Sequence, residues 1–426
     1  MKKKIIIITP EFPYPLTSGG KQAQYHMVNK LRDIYDISIL FDASGLSDNI
    51  FDELRTKWPN VIFFSFKRKY LNSEKKTLKQ KIYNKLSSVK NSLHQIIFAK
   101  SHTPKKSILN DDFKRFRSTL YNSGPIWYPA DFLDYVYTIS RKDFDIIQVE
   151  FYEFLPFIHL LPKNKKTIFI HHEIRYIRNE LEMSLFDNKI VQDQFAHDIA
   201  KMCELSNLSL FDKIVTLSDI DKEKLKLELA DKPIYSSPAM IESNPDTNIA
   251  DFKFNKKLIF IGSQSHYPNA DGLIWFLDKV WREIIIQNAD LELHVIGDWS
   301  DFISQCQLNL PQIYVHSYIP NLNEILPNSI MIVPIRIGSG IRMKIIDAIN
   351  YHIPFITTSI GVEGLDFQNN KDCLVADSPS DFINAVNNLT KDSNLQMKLI
   401  KEASCTMKKL YDEDYVIAQR IKVYES

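Results

Sequence analysis

A chain of 426 residues is long for one hydrophobic core and comfortable for two domains of about 200 residues each. Its 44% hydrophobic and 25% charged content are ordinary for a globular protein and exclude disorder on a large scale. With 53 Lys and Arg against 52 acids the net charge is +1, which argues against a nucleic-acid binder and makes any basic surface a local one.

The opening MKKKIIIITPEF has the basic start of a signal peptide, but its apolar run is about five residues where roughly 7–15 are needed, so it reads as a first buried strand. A turn-rich stretch over 13–21 then carries Gly19 and Gly20 ahead of an apolar-periodic helix over about 22–32. Glycines between a first parallel strand and its helix let a ligand approach backbone N–H groups, and equally make a turn with no ligand. Further strands are expected over 37–41, 61–66, 145–149, 167–171 and 213–217, with helical stretches between most of them. Near-continuous apolar strands alternating with helices mean a parallel sheet covered on both faces.

Between Lys67 and Lys106 the charge balance breaks, with twelve Lys or Arg and a single acid, Glu74, among apolar residues such as Tyr70, Leu78, Ile82 and Phe98. Such a segment suits an anionic bilayer surface, each Lys there contributing about 1 kcal/mol, and suits equally a solvated helix face. At the ends of two expected strands stand Glu150 and Glu153, then His171, His172 and Glu173. A lone His is more often structural than functional. Glu173 is also placed to cap the next helix, and Arg175 and Arg178 to sit on its surface or to meet an acceptor phosphate.

The rhythm restarts at Lys257 with LIFIG, a helix around 271–286, then LELHVIGD, IYVHSYI, SIMIVPI, PFITTS and DCLVAD. A second sheet therefore follows the first. The stretch 231–254, with three prolines, reads as the linker between them. The tail over 412–426 looks helical. Boundaries are expected at 1–235, 236–256, 257–410 and 411–426. No run approaches the roughly 18 apolar residues of a membrane span, so a cytoplasmic protein is expected. Cys203, Cys306, Cys373 and Cys405 lie far apart without a C-x-x-C pair and read as reduced thiols.

The densest chemistry lies in the stretch 328–366. An apolar run ends at Pro334, a loop carries Arg336, Gly338, Ser339, Gly340, Arg342 and Lys344, and a helix-like run extends to about Tyr351 with Asp347 one turn beyond Lys344. A second apolar run ends in Gly361-Val362-Glu363-Gly364-Leu365. Strand, glycine loop, helix, strand is a layout that presents a phosphate to backbone N–H groups and a helix N-terminus, with nearby cations matching its charge. The same glycines also make a plain tight turn, and Lys344 with Asp347 a solvated ion pair.

This stretch resembles the retaining nucleotide-sugar glycosyltransferases of the GT-B class, family 4-like or "group 1", in the branch whose loop reads P-x-R-x-G-x-G-x-R-x-K and leads to an acid-Ala pair, here Asp347-Ala348. The later G-x-E-G-L turn and the Gly262-Ser263…Pro268-Asn269 stretch fit the same branch. Many relatives carry a glutamate touching the donor sugar and a second on the ribose; Ser339 and Asp347 stand at those positions. Many also hold the donor phosphates with an Arg or Lys soon after the first strand of the second domain, and the stretch 262–269 has neither.

The resemblance implies a GT-B α/β architecture: two doubly wound Rossmann-like domains facing one cleft, with the last helix crossing back to the first domain. It implies transfer of a sugar, with retention and without metal, from a nucleotide-diphosphate-sugar, a UDP-sugar being favoured over a GDP-sugar, to a glycan acceptor hydroxyl. No further cofactor is implied. The donor residues would be Gly19, Gly20, Gly262, Arg336, Gly338, Ser339, Gly340, Arg342, Lys344, Asp347, Glu363 and Gly364. His171 or His172 would meet the donor sugar, Arg342 and Lys344 the leaving diphosphate, and Glu150, Glu153 and Arg175 the acceptor. The setting would be assembly of a bacterial surface glycan, on a free or a lipid-linked acceptor, at the inner face of the plasma membrane with 67–106 as a peripheral contact. Two rivals share the architecture: a catalytically silent partner subunit that binds a glycan, and a sugar-nucleotide epimerase or phosphorylase.

Overall fold

The computed structural model describes residues 2–68, 110–124, 126–240, 252–299, 310–319 and 321–426. Most of the basic stretch 67–106 lies outside them, as do Cys306 and the centre of the linker. Of that stretch only Lys67 and Arg68 are described, facing Asp48 at 2.6 Å and Asp42 at 3.7 Å.

The first sheet contains β1 (Lys4–Ile8), β2 (Asp36–Asp42), β3 (Ile62–Phe66), β4 (Ile146–Glu150), β5 (Lys166–His171), β6 (Lys213–Thr216) and β7 (Ile234–Ser236), in the order β3-β2-β1-β4-β5-β6-β7. All its pairings are parallel. The run of isoleucines explains why β1 is central. Ile5 and Ile7 enter one core cluster and Ile6 and Ile8 another, so the period-2 alternation feeds both faces of the sheet. The expected linker gives up its first part to this sheet, because Ile234 pairs with Ile214 and is itself buried.

The second sheet contains β8 (Lys257–Ile261), β9 (Glu292–Ile296), β10 (Ile313–His316), β11 (Ile330–Val333), β12 (Phe355–Thr357) and β13 (Leu374–Val375), in the order β10-β9-β8-β11-β12-β13. All its pairings are parallel as well. The helix expected around 271–286 starts earlier, at Tyr267 with Pro268 in its first turn, where the missing N–H costs nothing. It then passes through a π-helical turn, Leu277–Trp281, into Arg282–Gln287.

The last helix, Glu413–Glu425, returns to the first domain. There Tyr424 packs edge-on to Tyr35 at 5.3 Å, Lys213 donates to the carbonyl of Val423 at 2.7 Å, and Lys3 pairs with Glu425 at 2.5 Å. One core cluster runs through both domains and this helix, joining Ile5, Met331, Val333 and Tyr424. Among the described residues, no helix is long and apolar enough to cross a membrane.

Candidate active site

Ligands of open parallel sheets bind beyond the carboxyl ends of strands, and two such edges meet here. β4 ends at Glu150 and β5 at His171 in the first domain, and the loop after β11 opposes them. The approach is close at Gly340. With φ at +79°, an added Cβ there would fall 2.3 Å from the carbonyl oxygen of His172. A side chain would force the domains apart as well as strain the backbone.

Ser339 bridges the same seam. Its hydroxyl accepts from the Ile174 N–H at 2.9 Å and lies 3.3 Å from Asp221 Oδ1, to which it donates. Around it, Arg178 reaches His266 at 3.4 Å, Lys224 pairs with Glu363 at 2.7 Å, and Arg117 donates to the carbonyl of Gln264.

The cations of the loop are differently placed. Arg342 stands at the N-cap position of the helix Met343–Asn350 without a side-chain capping bond, and its Nη1 donates to the carbonyl of Gly340. Its Nη2 is buried and, among the described residues, has no hydrogen-bond partner. Desolvation lowers the pKa of Arg342, and the nearby carboxylates Glu173, Glu363 and Asp221 oppose that. Lys344 donates to Asn269 Oδ1 at 2.8 Å and lies 4.7 Å over the Phe260 ring. Desolvation first, and repulsion from Arg342 second, pull its pKa down to about 7; Asp347 pulls the other way. Desolvation likewise pushes Asp347 up to about 6. Cations whose charge is this costly, at a helix N-terminus, have a strong electrostatic demand for an anion.

Arg336 is occupied elsewhere. Its guanidinium forks onto fully buried Asp271 at 2.7 and 3.0 Å and stacks over Trp275 at 5.4 Å. A phosphate role for it would require breaking that pair. Gly338 lies against Arg342 and Glu173, Gly262 against the side chain of Asn269, and Gly364 against Ser218.

The two histidines separate clearly. His171 has a fully buried side chain, with Nε2 2.8 Å from Glu204. Glu204 also accepts from the N–H groups of Arg175 and Tyr176, so this pair caps the next helix inside the first domain. His172 stands at the seam, Nε2 2.9 Å from Glu150 Oε2, its ring stacked on Phe151 at 4.0 Å. Phe151 is a member that sequence reasoning missed. Its ring lies 2.7 Å from where a Cβ on Gly20 would sit, and Gly19 makes the same close approach to Met343 at 2.6 Å. No local pattern marks Phe151.

Glu150, expected on the acceptor side, is buried and turned onto His172. Burial raises its pKa, but His172, Arg420 and Gln148 outweigh that and keep it ionised. Glu153 is half exposed and pairs with Arg175 at 3.1 Å. Glu173 is expected with His171 and His172 at the strand end facing the cleft, or as a cap for the next helix. It lies 3.0 Å from Arg178; burial pushes its pKa up, yet Arg178, Arg175 and His266 win and hold it at about 2.

Residues 255–392, which contain this loop, its helix and the strands on either side, match the family model described as Glycosyl transferases group 1. The match therefore falls on the second domain. Over 231 residues the chain is 26% identical to the uncharacterized 44.6 kDa protein in the cps region of Klebsiella pneumoniae, a match spanning 50% of this chain and 56% of that one. The similarity therefore reaches only about half of that relative's length.

Among solved structures, an S. aureus TarM mutant in complex with fondaparinux, alpha-GlcNAc-glycerol and UDP superimposes with a TM-score of 0.66 at 12% identity, covering 100% of both chains. Sucrose-phosphate synthase from Thermosynechococcus elongatus gives 0.65 at 11%, covering 100% of this chain and 98% of its own. Anabaena HepE in complex with UDP-glucose gives 0.59 at 10%, covering 99% of each. At such identities the likeness is one of fold, and that fold is GT-B: two parallel-sheet Rossmann-like domains about one cleft.

Proposed function

We propose that this protein is a glycosyltransferase that moves a sugar from a nucleotide-diphosphate donor, a UDP-sugar, to a hydroxyl of a bacterial surface glycan, with retention and without a metal ion. The observation that carries this reading is the pairing of Arg342 and Lys344 at the start of the helix Met343–Asn350, with one Arg342 nitrogen buried and, among the described residues, unpartnered. Fixed donors aimed at a developing diphosphate charge stabilise it without reorganisation, and a water-poor cleft strengthens them. In this reading the bond from the anomeric carbon to the donor phosphate oxygen breaks as the acceptor oxygen attacks from the same face. The acceptor proton passes to the departing phosphate oxygen, so no protein nucleophile is needed. Asp347 would accept from the ribose, and His172, rather than buried His171, would meet the donor sugar. The UDP-containing complexes among the structural neighbours and the cps-region relative support the choices of donor and acceptor class.

Ser339 favours a second reading, a silent partner subunit, because its hydroxyl is engaged between the domains. Thermal stabilisation by UDP, GDP, ADP and CMP and their sugar conjugates, with and without Mg²⁺, tests the first reading, since a ligand of the folded state raises stability by a few kcal/mol at saturation. The expected result is a metal-independent shift with UDP and slow hydrolysis of one UDP-sugar, the sugar released first in the donor's own anomeric configuration by NMR. Stabilisation without any turnover would favour the silent partner, and no shift with any nucleotide would refute donor binding.

A further inference from the structure

The last helix does more than close the fold, because a chain of side-chain hydrogen bonds runs from it to the cleft. Tyr424 Oη donates to Gln148 Oε1 at 2.5 Å, Gln148 Nε2 donates to Glu150 Oε1 at 2.5 Å, and Glu150 Oε2 lies 2.9 Å from His172 Nε2. Tyr424, Gln148 and Glu150 are each at most 3% exposed. Gln148, Glu150, His172 and Arg420 also line one small cavity. Arg420, on the same helix as Tyr424, donates to Ser237 at 3.1 Å and supplies positive charge to Glu150.

Every direction in this chain is dictated by chemistry. An ionised carboxylate only accepts, so Gln148 must turn its NH₂ to Glu150 and its oxygen to Tyr424, whose hydroxyl must then donate. By the same rule the His172 Nε2 must carry a proton. In the neutral ring, Nδ1 is then left as the acceptor.

We propose that Tyr424, Gln148, Glu150 and Arg420 are positioning residues that set the tautomer and ring orientation of His172, so that the C-terminal helix of this chain holds one side of the cleft in working order. The proposal rests on the reading of the cleft as the sugar-transfer site. Phe151, stacked under the imidazole, fixes the ring plane, and the carboxylate fixes its rotation within that plane. Tyr424, 276 positions along the chain from Gln148, thereby acts on the seam between the domains.

The test uses the full chain labelled with ¹⁵N-histidine, the His172 ring signals being assigned by their loss in His172→Gln. The wild type is expected to show His172 protonated at Nε2 in its neutral form. Glu150→Gln, which offers either an oxygen or an NH₂, is expected to give a mixture of tautomers, and Tyr424→Phe a displaced ring signal. Tyr415→Phe, half exposed on the same helix, is expected to change nothing. In parallel, kcat for UDP-sugar hydrolysis should fall about tenfold in Tyr424→Phe and further in Glu150→Gln, with the thermal shift by UDP retained. A wild-type His172 protonated at Nδ1, or ring signals unchanged in both variants, would overturn the proposal. If the wild type turns over no UDP-sugar, the transfer reading fails by itself, and the tautomer measurement still decides the relay.

Discussion

On the C-terminal side of the cleft, two cations lie on one short stretch, Arg342 and Lys344, whose side chains bond the Gly340 carbonyl and Asn269 and, among the described residues, form no ion pair. On the N-terminal side, Glu150, Glu153 and Glu173 come from the ends of two strands, and each is matched at close range by His172, Arg175 or Arg178. The first side holds cations at a helix start whose desolvation nearby carboxylates offset only in part, and the second has balanced its own charges in close pairs. An anion would therefore gain most from the C-terminal side, while the N-terminal side offers oriented, locally neutral groups suited to hydroxyls.

Lys344→Ala probes this contrast most severely. Removing a cation aimed at developing charge should lower kcat/KM for UDP-sugar turnover by about a hundred- to a thousand-fold, and the stabilisation by UDP should shrink with it. Unchanged turnover would mean that the two sides do not divide the work in this way.

Ser339→Ala acts on the seam itself. It leaves the Ile174 N–H without its acceptor, a loss of about 1–3 kcal/mol of stability in urea denaturation.

The pH dependence follows from Lys344, whose pKa is depressed from 10.5 to about 7. The unfolded chain holds that proton up to about pH 10 while the folded one releases it near 7, so this group makes stability rise with pH between the two and fall as pH drops back toward 7. In the proposed donor site UDP would favour the charged form. Its binding should therefore take up a proton above pH 7, and its Kd should rise with pH by at most about tenfold per unit, as calorimetry in buffers of different ionisation enthalpy would measure. Asp347, at about 6, is already largely ionised in that window and adds little to the slope.

The smallest effect is expected at Lys224→Ala, which removes the partly exposed pair with Glu363. Such a pair contributes about 0–1 kcal/mol, so stability should barely move in the same urea titration.

The legibility of the molecule divides along the same line. The five strands expected after the first one in the N-terminal domain agree with β2 to β6 within a residue at either end, because continuous apolar runs leave little freedom. β7 was absorbed into the linker. Three residues beside Pro233 carry no pattern of their own, and only the pairing of Ile234 with Ile214 makes them a strand. The loop 334–344 was readable because its residue types and spacing are themselves the chemistry. Which histidine reaches the seam was not readable, since His171 and His172 are adjacent and differ only in which face of β5's end they leave from.

By itself, the sequence determined two parallel sheets, through the period and length of its apolar runs, and one cation-bearing glycine loop, through local spacing. Tertiary structure alone decided that Arg336 is bound by Asp271, that Ser339 joins the domains, and that His172 is held by Glu150 in line with Tyr424. The physical reason is range. Backbone periodicity and loop geometry act over a few residues, whereas the pairing of a buried charge is settled by whatever distant segment packing brings beside it.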